Sequence, residues 1–203
     1  MTLYFASSND HKKEEMMRLL VGVTVRLPKE DGFAFDPDEN GNSFIENALI
    51  KANALYEKVK APVLADDSGL VVDALGGRPG IHTSRYGDTP ERVLSQREKN
   101  AKLLGEMEGC EKRSARFVCA LVLMLSPDRI YIIEETAEGS IAFSEEGTHG
   151  FGYDPIFIMG DTGKSAAALS AWEKDMLSHR GKAVRKMNLI INQLKKENNN
   201  EEM

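Results

Sequence analysis

The chain has 203 residues, 41% of them hydrophobic and 29% charged, and a formal net charge of −6. That length supports one sizeable core or two lobes. The acidic balance, with no basic block, argues against a nucleic-acid partner, and no apolar run approaches the ~20 residues needed to cross a bilayer. The opening "MTLYFASSNDHKK" lacks the basic and apolar regions of a signal peptide. Cys110 and Cys119 form no C-x-x-C pattern, so two reduced thiols in a cytoplasmic protein are expected.

Strands and helices alternate along the chain. "TLYFAS" reads as a strand, followed by a helix over "NDHKKEEMMRLL" with Asn9 or Ser8 as its N-cap. "GVTVRL" is strand-like, and "DGFAFDPDENGN" has the Asp, Asn, Gly and Pro content of a loop. Ser43 and Glu46 are spaced as a capping box, which predicts a long helix over "SFIENALIKANALYEKVK". "APVLAD" is the next strand, and its end is expected at the acidic pair Asp66–Asp67, with "DSG" as a turn.

"TPERVLSQREKNAKLLGEME" reads as a charged helix. "SARFVCALVLML" and "RIYIIEETAEGSIAF" are the clearest strands, joined by a turn at Pro127–Asp128. A final helix places Ala183, Met187, Ile190, Ile191 and Leu194 on one face, with Ser178 as its N-cap. No linker separates domains, so residues 1–196 are expected to form a single domain of two lobes. The polar stretch 197–203 is expected to be a disordered tail.

Four stretches carry chemistry. "SSNDHK" (Ser7 to Lys12) joins a strand to a helix, where hydroxyls, an amide and backbone N–H groups favour an anion; Lys12 can close over a phosphate. An ordinary N-cap beside a solvated lysine explains the same residues. The acids Asp36, Asp38 and Glu39 precede the second helix, and with Asp66 and Asp67 they offer oxygen ligands for a hard cation. Adjacent like charges need a cation or turn donors to offset their repulsion. In "GTHGFGYDPIF", aromatics and glycines surround Asp154 and suit a planar ligand, although a buried core loop has the same composition. "SHRG" adds His179 and Arg180 at a helix start. A P-loop is excluded, because "IMGDTGKSA" has Ile158 where the first glycine must stand.

In this order, "SSNDHK", "SFIENA", "ADDSGLVVDALGGRPGI", "GFGYDPIF" and "SHRGKA" resemble the Ham1-like inosine triphosphate pyrophosphatase family, from Ser7 to Ala183. The resemblance implies an α/β fold with a long, twisted, mixed sheet, two lobes about an active-site cleft, and a homodimer. It implies a magnesium-dependent hydrolase that splits ITP, dITP and XTP into monophosphate and pyrophosphate, keeping deaminated purines out of DNA and RNA. By position, it makes Ser7, Ser8, Asn9, Asp10, His11 and Lys12 the triphosphate loop. Glu39 and Asp67 become the magnesium carboxylates, Asp67 also the proton acceptor, and Ser68 a substrate contact. Phe151, Gly152, Tyr153, Asp154, Lys174, His179 and Arg180 become the base pocket, with Arg180 favouring a 6-oxo purine. "GTHG", with His149, and "TSRYG" depart from the commoner family forms. A non-catalytic nucleotide sensor and a Maf-like pyrophosphatase acting on pyrimidines are the alternatives. The first would be expected to lose Lys12 or Asp67, and the second does not fit "FGYDP" with "SHRG".

Overall fold

The structure, a computed structural model, describes residues 1–201, with side chains through residue 197. Six strands form one mixed sheet in the order β2-β1-β3-β4-β5-β6. They are β1 (Thr2–Ala6), β2 (Thr24–Arg26), β3 (Val63–Val72), β4 (Ser114–Ser126), β5 (Arg129–Ile141) and β6 (Phe157–Met159). The helices are α1 (Asp10–Leu19), α2 (Phe44–Val59), α3 (Gln96–Glu106), α4 (Ala171–Leu177) and α5 (His179–Glu201). No helix among the described residues is long and apolar enough to cross a membrane.

The chain divides into two compact units. The first comprises residues 1–67, 119–135 and 180–203; the second comprises 68–118 and 136–179. The chain therefore crosses from one to the other four times, within β3, β4 and β5 and at the first residue of α5.

In the first unit, β1 pairs in parallel with β2 and with β3, Phe5 lying opposite Leu64 and Ala6 opposite Ala65. Parallel neighbours need a crossover, and α1 supplies it between β1 and β2. Asn9 caps α1 by accepting from the Lys12 amide. Ser43 caps α2 by accepting from the Glu46 amide, but Glu46 reaches back to Asn42 N at 2.6 Å, one residue short of a closed capping box. Leu3, Phe5, Met16, Leu64, Leu121, Val184, Met187 and Ile191 form this unit's core, so the apolar stripe predicted for the last helix is the one it buries. That helix continues to Glu201, into the stretch expected as a tail, and residues 202 and 203 lie outside the described residues.

In the second unit, β6 pairs antiparallel with β5, Ser140 opposite Ile158. Its core gathers Leu70, Leu103, Met107, Phe117, Tyr153 and Phe157. The helix α3 starts at Gln96, later than the sequence suggested, because Ser95 and Glu98 form a full capping box there. Both cysteines are free thiols.

The expected end of β3 needs correction. β3 does not end at the acidic pair: it runs through Asp66, Asp67 and Ser68 to Val72, and "DSG" is strand rather than turn. The pleat supplies the physical reason, since successive side chains of a strand point to opposite faces. Adjacent carboxylates thus part without leaving the strand. Ser178, expected to cap α5, immediately precedes that helix, and it also closes α4, its amide donating to the Lys174 carbonyl.

Candidate active site

Two buried polar clusters stand out, one in each unit. In the first unit, Asp66 is fully enclosed and surrounded by donors. Lys12 Nζ lies 2.5 Å from its Oδ1, Arg180 Nε 3.0 Å from its Oδ2, and Cys119 Sγ 3.2 Å from the same oxygen. Arg180 also donates from Nη1 to Glu15 Oε2 at 2.5 Å, and it is only 2% exposed. Burial pushes the Asp66 carboxyl up, but the charges of Arg180 and Lys12 overcome it and hold it well below the usual carboxylate range. Asp66 is thus a fixed anion that orients two cations.

Asp67, one residue on, behaves oppositely. Its Oδ1 accepts from Lys51 Nζ at 2.7 Å, and the same ammonium donates to Glu39 Oε1 at 2.9 Å. Its Oδ2 is buried and has no hydrogen-bond partner. Burial raises the Asp67 pKa, and Lys51 and Lys12 offset this only in part. A carboxylate with one orphaned oxygen, brought by one ammonium beside a second carboxylate, is a donor set that fits a small divalent cation. Among the described residues no group of three or more His, Cys, Asp or Glu side chains is placed to hold a metal. Two protein carboxylates suffice for magnesium, which usually completes its shell with water and phosphate oxygens.

The loop from β1 to α1 is arranged as a capped helix start. Asn9 N donates to Ser7 Oγ and Lys12 N to Asn9 Oδ1, each at 3.1 Å. Ser8, Asn9 and His11 are exposed, and Asp10 pairs with Lys29 at 2.5 Å. Of this loop, Lys12 is the residue drawn into the buried cluster.

In the second unit, Asp154 is 4% exposed, and its Oδ2 accepts from Lys174 Nζ and from Phe151 N, both at 2.7 Å. Lys174 Nζ sits 4.8 Å from the Phe151 ring centroid. Gly150 is obligatory here: its φ is +74°, and a Cβ would stand 2.1 Å from Asp154 Oδ2. Tyr153 is a core residue whose hydroxyl donates to the Thr83 carbonyl at 3.2 Å. His179 stacks on Phe117 with centroids 4.8 Å apart. Gly152 is half-buried beside Tyr153, and Ser68 is half-buried on β3. Phe151, Asp154 and Lys174 touch one another, and Arg180 is bonded to Asp66 and Glu15.

The family model of the Ham1 family matches residues 3–189. The chain belongs to the Ham1 family. This Ham1 chain is 50% identical to the dITP/XTP pyrophosphatase of Treponema denticola over 184 residues, which cover 91% of it and 95% of that protein. It is 42% identical to the dITP/XTP pyrophosphatase of Geobacillus kaustophilus, covering 91% of both chains. Its fold matches a HAM1 protein from Coxiella burnetii with a TM-score of 0.86 at 35% identity, covering 95% of this chain and 99% of that one. The Staphylococcus aureus Ham1 protein gives 0.84 at 33% identity with the same coverage.

Sequence reasoning missed three members of the Ham1 chain's buried clusters. Lys51 had a readable signal, because it interrupts the buried stripe Asn47, Ala48, Lys51, Ala52 and Leu55 of α2. A lysine on a helix's inner face needs a charge partner. Glu15 precedes the buried Met16 but looks like any helix-surface acid. Cys119 sits in an unbroken apolar strand, and nothing in that run distinguishes its thiol.

Proposed function

We propose that this protein is a nucleoside-triphosphate pyrophosphatase acting on the non-canonical purine nucleotides ITP, dITP and XTP. It releases the monophosphate and pyrophosphate and so clears deaminated bases from the cytoplasmic nucleotide pool. The observation that carries the reading is Asp67, a buried carboxylate with a raised pKa and one unpartnered oxygen, held by Lys51 beside Glu39. A non-catalytic nucleotide sensor has no use for such a group.

Each residue has a role that follows from its surroundings. Glu39 and Asp67 would hold magnesium. That ion, when bound, supplies Lewis-acid neutralisation of phosphate oxygens. Lys51 keeps the two carboxylates together. A raised pKa suits Asp67 to accept the proton of the attacking water. An ammonium has three donors, of which Asp66 takes one. Lys12 can therefore bring its charge to the oxygens on which negative charge grows. The helix start at Ser7 to His11 favours the same anion, and Ser68 is read as a further substrate contact. Arg180 is read as the residue that fixes Asp66, and through it Lys12.

In the second unit, Phe151 offers a planar face, and Lys174, fixed by Asp154, offers a donor. A 6-oxo purine presents an acceptor to that donor, whereas adenine presents an amino group and would leave both unpaired. Tyr153, Gly152 and His179 support this set. The test is a panel of ITP, dITP, XTP, ATP and GTP assayed for pyrophosphate release with magnesium and with a chelator. Release from the first three, lost on chelation, is expected. Tight triphosphate binding without release would identify a sensor instead.

A homodimer is the expected assembly. Sedimentation at micromolar concentration checks it, and a monomeric mass would refute it.

A further inference from the structure

The glycine-rich segment between β5 and β6 carries Phe151 and leads directly into Asp154. It has little regular structure, and residues 143–150 are exposed. Gly147 and Gly150 both lie in the left-handed region, with φ of +83° and +74°. Such a segment has many accessible conformations unless it is tied down. Two backbone bonds tie its middle, from Glu146 N to Pro155 O at 2.8 Å and from His149 N to Ala167 O at 3.0 Å.

Its two ends meet on one side chain. Asn100, on α3, is 2% exposed, and its Nδ2 donates to Glu145 Oε1 at 3.0 Å and to the Gly152 carbonyl at 3.4 Å. Its Oδ1 accepts from Gln96 Nε2 at 3.0 Å, one helical turn earlier, which fixes the orientation of the amide. A primary amide nitrogen has two hydrogens, and here each goes to one end of the same segment. Gly152 is the neighbour of Phe151, so the carbonyl that Asn100 holds sets the peptide next to the aromatic face.

We propose that Asn100 is a positioning residue for base recognition: it clamps Glu145 to Gly152 and thereby fixes Phe151 and its contact with Lys174. The proposal rests on the reading of Phe151, Asp154 and Lys174 as the base-recognising set. A buried carboxamide that merely filled space would not need both N–H groups directed at the two ends of one segment. The clamp also has one exposed member, Glu145, which can be changed without disturbing the core.

The experiment measures kcat/KM for ITP and ATP with four proteins: wild type, Glu145→Ala, Asn100→Asp, and Asn100→Asp combined with Glu145→Gln. Thermal midpoints are recorded alongside. Asn100→Asp keeps the shape, removes both donors and sets a carboxylate against Glu145. It is expected to lower the ITP-over-ATP preference about tenfold, mainly through KM for ITP, and Glu145→Ala about threefold. In the double variant the glutamine amide donates to the new aspartate, so part of the preference returns. A folded Asn100→Asp or Glu145→Ala protein with the wild-type preference overturns the clamp. If Asn100→Asp does not fold, Glu145→Ala decides alone. A wild type that fails to release pyrophosphate from ITP overturns the functional reading itself, whereas a selective wild type with equally selective variants overturns only the clamp.

Discussion

Replacing Asp67 with Asn is expected to lower kcat/KM for ITP by roughly a thousandfold while leaving the protein folded, on the scale of losing one charge-stabilising or proton-accepting group. The substitution keeps the shape and removes the charge. The fold should tolerate it, because burial already disfavours the ionised form of Asp67 and Lys51 keeps Glu39 as a partner. A thermal midpoint within about 4 °C of wild type is therefore expected. A second readout separates metal holding from proton transfer. If Asp67 holds the metal, the variant's half-saturating magnesium concentration should rise along with the loss of turnover. If it serves only as the base, turnover falls and the magnesium requirement stays put. Near-normal turnover in a folded variant would remove Asp67 from the mechanism altogether.

Arg180→Met should act mainly on stability. The guanidinium is 2% exposed and bonded to both Asp66 and Glu15. Removing one partner from a buried ionic group costs about 3–5 kcal/mol, because the carboxylates left behind remain desolvated. For a chain of this size that corresponds to a midpoint lowered by roughly 6–20 °C. Adding Asp66→Asn should return part of the loss, since one stranded charge is then gone. Activity should fall for ITP and ATP by similar factors, because Lys12 loses its oriented anion. A variant with the wild-type midpoint that loses only its 6-oxo preference would instead place Arg180 at the base, as the family resemblance first implied.

These two cases show what was legible in the sequence. The acidic pair, the capped loop before α1 and the "GFGYDP" stretch could be located because each breaks the hydrophobic pattern around it. The alternation of strands and helices followed from periodicity, and the turn at Pro127–Asp128 lies where the dipeptide put it. What could not be read was which acid meets which base. Asp66 and Asp67 are neighbours with the same side chain, yet one is held ionised and the other is pushed towards protonation. That difference comes from Arg180, 114 residues along the chain, which with Lys12 overcomes burial at Asp66, whereas at Asp67 burial prevails over the partial offset from Lys51, 16 residues away. Turn chemistry in "DSG" suggested an ending for β3 because serine and glycine favour turns. Burial on both sides of residues 63–67 won over that local preference. Asn100 offered no signal, since its partners are an exposed glutamate and a backbone carbonyl.

The four crossings of the chain between its units also order events during synthesis. All of the second unit has been made once His179 has left the ribosome. The first unit, which contains the N-terminus, still lacks the segment from Arg180 onwards and with it the core residues Val184, Met187 and Ile191. Asp66 and Glu15 wait 114 and 165 residues for the guanidinium that bonds to both. Domains usually mature from the N-terminus as the chain emerges. Here the half begun first is finished last, and a nascent chain halted before Arg180 carries two acids that lack the guanidinium bonded to both of them.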